Sequence, residues 1–139
     1  MPKILGIDYG EKRIGLAISD EEKKYAFSRS ALINDQAKDV VAAISEFCSK
    51  EQVIAIVVGL PLNQHGQPGP AARKVQDFAK LLGDNLKVEI FFEDERFSTT
   101  LATSLLKAAG KNTKKIRPLV DQDSARIILQ TFLDKKNNG

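Results

Sequence analysis

Acidic residues stand at the ends of three predicted elements, where their side chains could meet. Asp8 closes an apolar strand between Gly6 and Gly10, Glu95 follows a later strand, and Asp121 begins an otherwise apolar helix face. Carboxylate ligands, without cysteines or a histidine cluster, favour hard cations such as Mg²⁺ or Mn²⁺. Two such ions can activate water and stabilise the leaving oxygen in phosphodiester hydrolysis. The pattern therefore favours a metal-binding, catalytic set of Asp8, Glu95 and Asp121.

Each of these acids also has a purely structural interpretation. Asp8 could close a hairpin turn, and Asp121 could be a helix N-cap. Within the run Glu93-Asp94-Glu95, neighbouring side chains of a strand point to opposite faces, so only one of Asp94 and Glu95 can join Asp8. We favour Glu95 and expect Glu93 to lie in a solvated acidic turn.

Two further acids are candidates for an assisting role. Asp94 is the second choice within its run. Asp123 lies on a different helix face from Asp121, where it could pair with Arg126 three residues later.

Cationic residues accompany the acids. Five lysines and arginines fall between Lys107 and Pro118 without a single acid, and within this segment we predict a basic loop over Lys111–Pro118. Cations beside a metal–carboxylate site suit a phosphate backbone, although a solvated loop is the common alternative. The candidate nucleic-acid-binding residues are Lys12, Arg13, Arg96, Lys111, Lys114, Lys115 and Arg117.

Hydrophobic patterning predicts the elements that must position these side chains. A continuous β-branched run is typical of a strand buried on both faces, whereas a three-to-four-residue apolar period indicates a helix. The predicted strands are Lys3–Tyr9, Ile14–Ile18, Tyr25–Ile33, Val53–Val58 and Val88–Phe92, and the predicted helices are Asp35–Lys50, Pro70–Leu82, Ser98–Ala109 and Asp121–Asp134.

The order βββαβαβαα indicates an α/β fold. Its antiparallel opening followed by alternating elements predicts a mixed sheet with helices on both faces. Ligand sites in such sheets lie beyond the carboxyl ends of the strands. Locally, Asp35 is expected to cap the first helix and Gly83 to end the second.

Composition excludes several classes of protein. The 139 residues, 42% of them apolar, suit one domain over residues 1–139, and the net charge of +3 permits a polyanionic partner. Cys48 and His65 are the only cysteine and histidine, which excludes an intrachain disulfide and a cysteine-based zinc site. The longest apolar stretch, Val53–Leu62, is too short to span a bilayer. With no signal peptide visible, we expect a cytoplasmic location and no membrane partner.

Four sequence blocks, in order and covering nearly the whole chain, resemble the YqgF family of Holliday-junction-resolvase-like proteins. Three residues depart from its usual pattern: Phe97 stands where leucine is usual, Asp123 where an apolar or small residue is common, and Ser124 where alanine is frequent. The blocks are Gly6–Gly10 with Lys12–Ala17, Val57–Asn63, Asp94–Thr99, and Val120–Ala125 with Ile127–Gln130.

The resemblance implies a ribonuclease H-like fold and a metal-dependent nuclease site at Asp8, Glu95 and Asp121. Proteins of this family have been assigned both to branched DNA and to maturation of the 5′ end of pre-16S rRNA, and we favour the rRNA.

Two other hypotheses stay open. One is an ATP-binding domain of the actin and sugar-kinase type, which needs two such domains where 139 residues supply one. The other is a nucleic-acid-binding module without catalysis.

Overall fold

The computed structural model describes residues 2–63, 65–95 and 113–138, and in the last segment residues 113–123 and 138 are described as helical backbone only. Five strands and three helices lie in these ranges. The strands are β1 (Lys3–Tyr9), β2 (Arg13–Ser19), β3 (Ala26–Ile33), β4 (Val53–Leu60) and β5 (Glu89–Asp94). The helices are α1 (Ala37–Glu51), α2 (Pro70–Asn85) and α3 (Thr113–Asn138).

The five strands form one mixed sheet in the order β3-β2-β1-β4-β5. The first three strands pair antiparallel, whereas β4 runs parallel to both β1 and β5. Asp8 lies opposite Gly15 of β2, and Leu60 lies opposite Asp94. The carboxyl ends of β1, β4 and β5 therefore meet at one edge of the sheet, as the predicted topology requires.

The two faces of the sheet carry different side chains. Alternation along the strands sends one set towards α1 and α2 and the other set towards α3. The first face is built from large aliphatic residues, among them Leu5, Ile7, Ile14, Ile56 and Val58, which pack with Val40, Ile44, Val75 and Leu82 of the two helices. The second face includes Ile4, Ala17, Ala55 and Val57, which pack with Ala125, Ile128, Leu129 and Leu133 of α3. The predicted helices on both faces are confirmed.

Glycines let α3 lie close to the sheet. A Cβ added at Gly6 would come within 2.7 Å of the Cβ of Leu129 and 3.0 Å of the carbonyl oxygen of Ala125. One strand away, a Cβ on Gly15 would lie 3.5 Å from the Cβ atoms of both Ala125 and Asp8. In the sequence Gly6-Ile7-Asp8, the glycine therefore leaves room for α3 to pack on the strand that carries the acid.

Side chains of α3 also hold the turn between β2 and β3. The Gln130 Oε1 accepts a hydrogen bond from the N–H of Ala26 (2.9 Å), and its Nε2 donates to the carbonyl of Lys24 (2.8 Å). The Asn137 side chain donates to the carbonyl of Lys23 (3.0 Å). These bonds satisfy backbone groups of the turn and fix the C-terminal half of α3 across the sheet.

Three local predictions are wrong. Gln36, not Asp35, is the N-cap of α1, and it makes no side-chain capping hydrogen bond. Gly83 does not end α2, which continues to Asn85 with Leu86 as its C-cap, because an isolated glycine is tolerated inside a helix at a modest cost.

The third wrong prediction concerns the basic segment. It is helical from Thr113, so that Lys114, Lys115 and Arg117 belong to α3 rather than to a loop. Lysine and arginine are good helix formers, and Pro118 does not end the helix. The predicted helix from Ser98 lies outside the described residues.

Within the described ranges, no helix has both the length and the apolar character needed to cross a membrane.

We predict that Gly6→Ala lowers the free energy of unfolding by about 1–3 kcal/mol, because the new methyl group overpacks the contact with Leu129. Gly83→Ala is the matched control. Its Cβ would lie 3.8 Å from Ile90, and the change should raise stability by about 1 kcal/mol through helix propensity. Urea denaturation of both variants measures the two effects. Equal behaviour of the variants would contradict the close approach of α3 at Gly6.

Candidate active site

Two carboxyl groups meet at the carboxyl edge of the sheet. Asp8 lies near the end of β1, and Glu95 directly follows β5. The backbone N–H of Glu95 donates to the carbonyl oxygen of Leu60 (3.0 Å), which extends the pairing of β4 with β5 by one residue. The Glu95 side chain reaches over β4 and shares a hydrogen bond with the Asp8 carboxyl group. The structure thus brings together two of the three acids that the sequence selects.

The surroundings of this pair favour the protonated form of Glu95. Burial, and after it the hydrogen bond and the negative charge of Asp8, together raise the pKa of Glu95 from its ordinary value of 4.5 to about 9. At neutral pH the protonated Glu95 therefore donates to the Asp8 carboxylate. A carboxylic acid kept neutral by burial and a facing carboxylate is typical of functional sites.

Gly59 lies beneath the Glu95 side chain. It belongs to the buried strand β4, although the sequence predicts it as the first residue of a loop. A Cβ at this position would come within 3.2 Å of the Glu95 Oε2 and 2.5 Å of the Ile128 Cδ1. The missing side chain is therefore part of the geometry of the pair.

Glu93 corrects a further expectation. It is not in a solvated turn, since it lies in β5 and is only 5% exposed. Its carboxylate forms an ion pair with Lys135 of α3. Strand alternation places Glu93 and Glu95 on the α3 face of the sheet, and Lys135 neutralises the first of these acids.

The remaining candidate acids separate into two groups. Asp94 lies in β5 between Glu93 and Glu95, so alternation directs its side chain to the opposite face from the pair. Asp121 and Asp123 lie in the helical backbone of α3, and their side chains are outside the described ones. Asp121 is one helical turn before Ala125, which lies over Gly15, the partner of Asp8 in the sheet.

The first hairpin presents two predicted cations beside the pair. Lys12 and Arg13 are exposed and follow Asp8 at the same edge of the sheet. Glu11 pairs with Lys74 of α2, and the Asn34 side chain donates to the carbonyl of Gly10 (2.8 Å), so the hairpin is held from two sides. The side chains of Arg96, Lys111, Lys114, Lys115 and Arg117 lie outside the described ones, and His65 is exposed, as expected.

The donor set of the pair fits a hard divalent cation. It consists of carboxylate oxygens at a sheet edge, and a cation could replace the proton that they share. Among the side chains that the structure describes, no third acid, histidine or cysteine completes a metal-binding group. A full site thus needs a further ligand, and Asp121 is the sequence candidate.

Sequence reasoning assigns no role in shaping this region to Gly59, although that residue stands at a strand end where a ligand site is expected, and none to Gln130. A glycine that ends a run of β-branched residues, Val57-Val58-Gly59, is a recognisable signal of close approach. Gln130 carries no comparable signal, because its partners are backbone groups more than 100 residues away in the chain.

Comparisons with known proteins find similar sequences over nearly the whole chain. A model of the RuvX family, described as "Holliday junction resolvase", matches residues 2–135. A Syntrophomonas wolfei protein named "Putative pre-16S rRNA nuclease" is 41% identical over 137 residues, covering 99% of this chain and 97% of that protein. A protein of the same name from Chloroflexus aggregans is 37% identical, covering 97% and 95% of the two chains.

Solved structures are similar in fold. Thermus thermophilus RuvC in complex with a Holliday junction substrate superimposes with a TM-score of 0.63 at 13% sequence identity, covering 99% of this chain and 97% of RuvC. A second Thermus thermophilus RuvC structure gives a TM-score of 0.57 at 15% identity, covering 98% and 96% of the two chains. The predicted ribonuclease H-like fold class is confirmed.

We predict that Asp8→Asn changes the pH dependence of stability in metal-free buffer. In the wild type the folded chain holds a proton on Glu95 that the unfolded chain releases, because the pKa of Glu95 is about 9 when folded and near 4.5 when unfolded. The free energy of unfolding therefore falls as the pH rises between these values. The variant lacks the facing charge and should therefore lose less stability than the wild type over this pH interval.

Thermal unfolding in EDTA between pH 5 and 8 measures this difference. Asp84→Asn, at an exposed position on α2, is the matched control and should follow the wild-type curve. Parallel curves for wild type and Asp8→Asn would refute the coupling between Asp8 and Glu95.

Proposed function

Because the chain belongs to the RuvX family, described as Holliday junction resolvases, we propose that it is a divalent-metal-dependent nuclease that matures the 5′ end of pre-16S rRNA. The names of its relatives support the rRNA substrate. The family description favours a second candidate, cleavage of branched DNA. In this proposal residues 1–139 act as one nuclease domain in the cytoplasm.

One observation carries the catalytic part of the proposal. The carboxyl groups of Asp8 and Glu95 share a proton at the edge where β1, β4 and β5 end. A fold gains no stability from two acids that face each other in a buried place, since one of them must stay protonated. The arrangement is explained if the pair binds a cation, and a binding module without catalysis does not need it.

Asp8, Glu95 and Asp121 would hold Mg²⁺ or Mn²⁺, with Asp123 as an assisting carboxylate. Asp94 does not belong to this set, because strand alternation directs its side chain to the opposite face from the pair. The helical backbone of α3 supports Asp121, because this residue precedes Ala125 by one turn and Ala125 lies over Gly15, the partner of Asp8 in the sheet. Bound cations would supply an activated water and charge stabilisation for the leaving oxygen. With a cation bound, Glu95 would release its proton to solvent, and Asp8 and Glu95 would both be anionic carboxylate ligands.

Cations around this edge would bind the phosphates of the substrate. Lys12 and Arg13 are exposed on the hairpin that carries Asp8, and the pairing of Glu11 with Lys74 leaves both of them to solvent. Phosphate contacts of this kind orient a nucleic acid without selecting its sequence. The further proposed contacts are Arg96, Lys111, Lys114, Lys115 and Arg117.

We predict that Asp8→Asn abolishes cleavage and preserves the fold, since asparagine keeps the shape of the side chain but not its charge. The purified protein is incubated with pre-16S rRNA and with a four-way DNA junction, each with Mg²⁺, Mn²⁺ or EDTA. Cleavage of the rRNA with either metal and none in EDTA is expected. Preferred cleavage of the junction would favour the second candidate function.

Asp84→Asn, purified in parallel, controls for contaminating nucleases and should cleave like the wild type. Equal cleavage by Asp8→Asn and by the wild type would contradict a catalytic role of Asp8.

We predict that replacing Lys111, Lys114, Lys115 and Arg117 together by alanine weakens nucleic-acid binding and flattens its salt dependence. Each neutralised phosphate adds roughly 0.7–0.9 to the slope of log affinity against log salt. Alanine preserves helix propensity where the basic segment is helical. Affinities at several salt concentrations measure the slope, and equal slopes would show that this segment is only a solvated run of cations.

A further inference from the structure

Gly59 of β4 lies next to both α3 and the acidic pair. Its α-carbon faces α3, and the position that a Cβ would take lies 3.2 Å from the Glu95 Oε2 and 2.5 Å from the Ile128 Cδ1. Contacts of a Cβ at 3.2 Å are tighter than ordinary van der Waals distances. A side chain of any size at position 59 would therefore compete with the Glu95 carboxyl group for the same space.

We propose that Gly59 is a positioning residue for metal binding, because its missing side chain leaves the room that Glu95 needs to lie over β4 and meet Asp8. The inference rests on the proposed function of the pair as a cation site. It adds a specific requirement: the strand between the two acids must carry glycine where Glu95 crosses it.

The two crowded neighbours of Gly59 differ in their freedom to move. The Ile128 Cδ1 is the end of a flexible side chain that can change its rotamer. Glu95 is held at both ends, since its backbone N–H bonds to the carbonyl of Leu60 and its carboxyl group bonds to Asp8. A methyl group at position 59 would thus displace the carboxyl group relative to Asp8, by a few tenths of an ångström or more.

Other glycines of the α3 face do not share this property. At Gly6 the crowded atoms belong to Leu129 and Ala125, both in α3. At Gly15 the nearest atoms, the Cβ atoms of Ala125 and Asp8, are 3.5 Å away, an ordinary contact. Within the part of the chain that the structure describes, Gly59 is the glycine whose Cβ would meet a carboxylate oxygen of the pair.

The test compares Gly59→Ala, Ile128→Val and the double variant in the full-length chain. Ile128→Val removes the Cδ1 atom, so the double variant relieves the 2.5 Å packing contact and keeps the methyl group beside Glu95. Mn²⁺ affinity is measured by isothermal titration calorimetry, and stability by thermal unfolding in EDTA. Gly15→Ala, next to Asp8 at ordinary contact distance, is the matched control.

We expect Gly59→Ala to weaken Mn²⁺ binding by about tenfold or more, the usual effect of disturbing a residue that orients a metal ligand. The double variant should regain thermal stability relative to Gly59→Ala while its Mn²⁺ affinity stays low. Raising the Mn²⁺ concentration should restore its cleavage activity. Gly15→Ala should bind Mn²⁺ like the wild type.

Three outcomes would overturn the proposal. Recovery of Mn²⁺ affinity in the double variant would show that Gly59 acts through the packing of α3. Equal affinities of wild type and Gly59→Ala would remove the positioning role and leave the proposed function intact. A wild-type chain that binds no Mn²⁺ would refute the cation site itself, and with it this inference.

Discussion

The repulsion between two facing carboxyl groups is the constraint on which the candidate site depends. Asp8 and Glu95 come from strands that are not neighbours, and the fold places both at one edge and partly excludes water from them. Such a pair persists only with a proton or a cation between the oxygens. The rest of the molecule supplies the stability that this arrangement lacks, chiefly through the aliphatic core between the sheet and the helices α1 and α2.

The two faces of the sheet differ in the size of the side chains that they carry. The face towards α1 and α2 is filled by branched side chains, and Tyr9 continues it by packing against Phe78 with ring centroids 4.6 Å apart. The face towards α3 carries Gly6, Gly15 and Gly59, so the helix lies nearer to the strands there. Small residues thus give up apolar burial and allow a close approach at the face that carries the acids.

Much of this structure could be predicted from the sequence because its signals are local and periodic. The β-branched run that forms β4 and the apolar period of α2 each indicate one element. Two predictions fail for different physical reasons, one long-range and one local. Glu93 is an ordinary solvated acid by sequence, but it is buried because Lys135, 42 residues later, neutralises it. Glycine often follows the last residue of a helix, yet α2 continues through Gly83 to Asn85, because one glycine inside a helix has only a modest cost.

The hydrogen bonds between α3 and the turn after β2 have a consequence for biosynthesis. They join residues that are 104 to 114 positions apart, so the strand that carries Asp8 is made long before the helix that covers it. A nascent chain that already contains Asp8 and Glu95 still lacks this cover, and the acidic pair remains open to bulk water. Residues as far as Asn137 must therefore be synthesised before α3 can close over this edge of the sheet, so the α3 face of the fold forms late in translation.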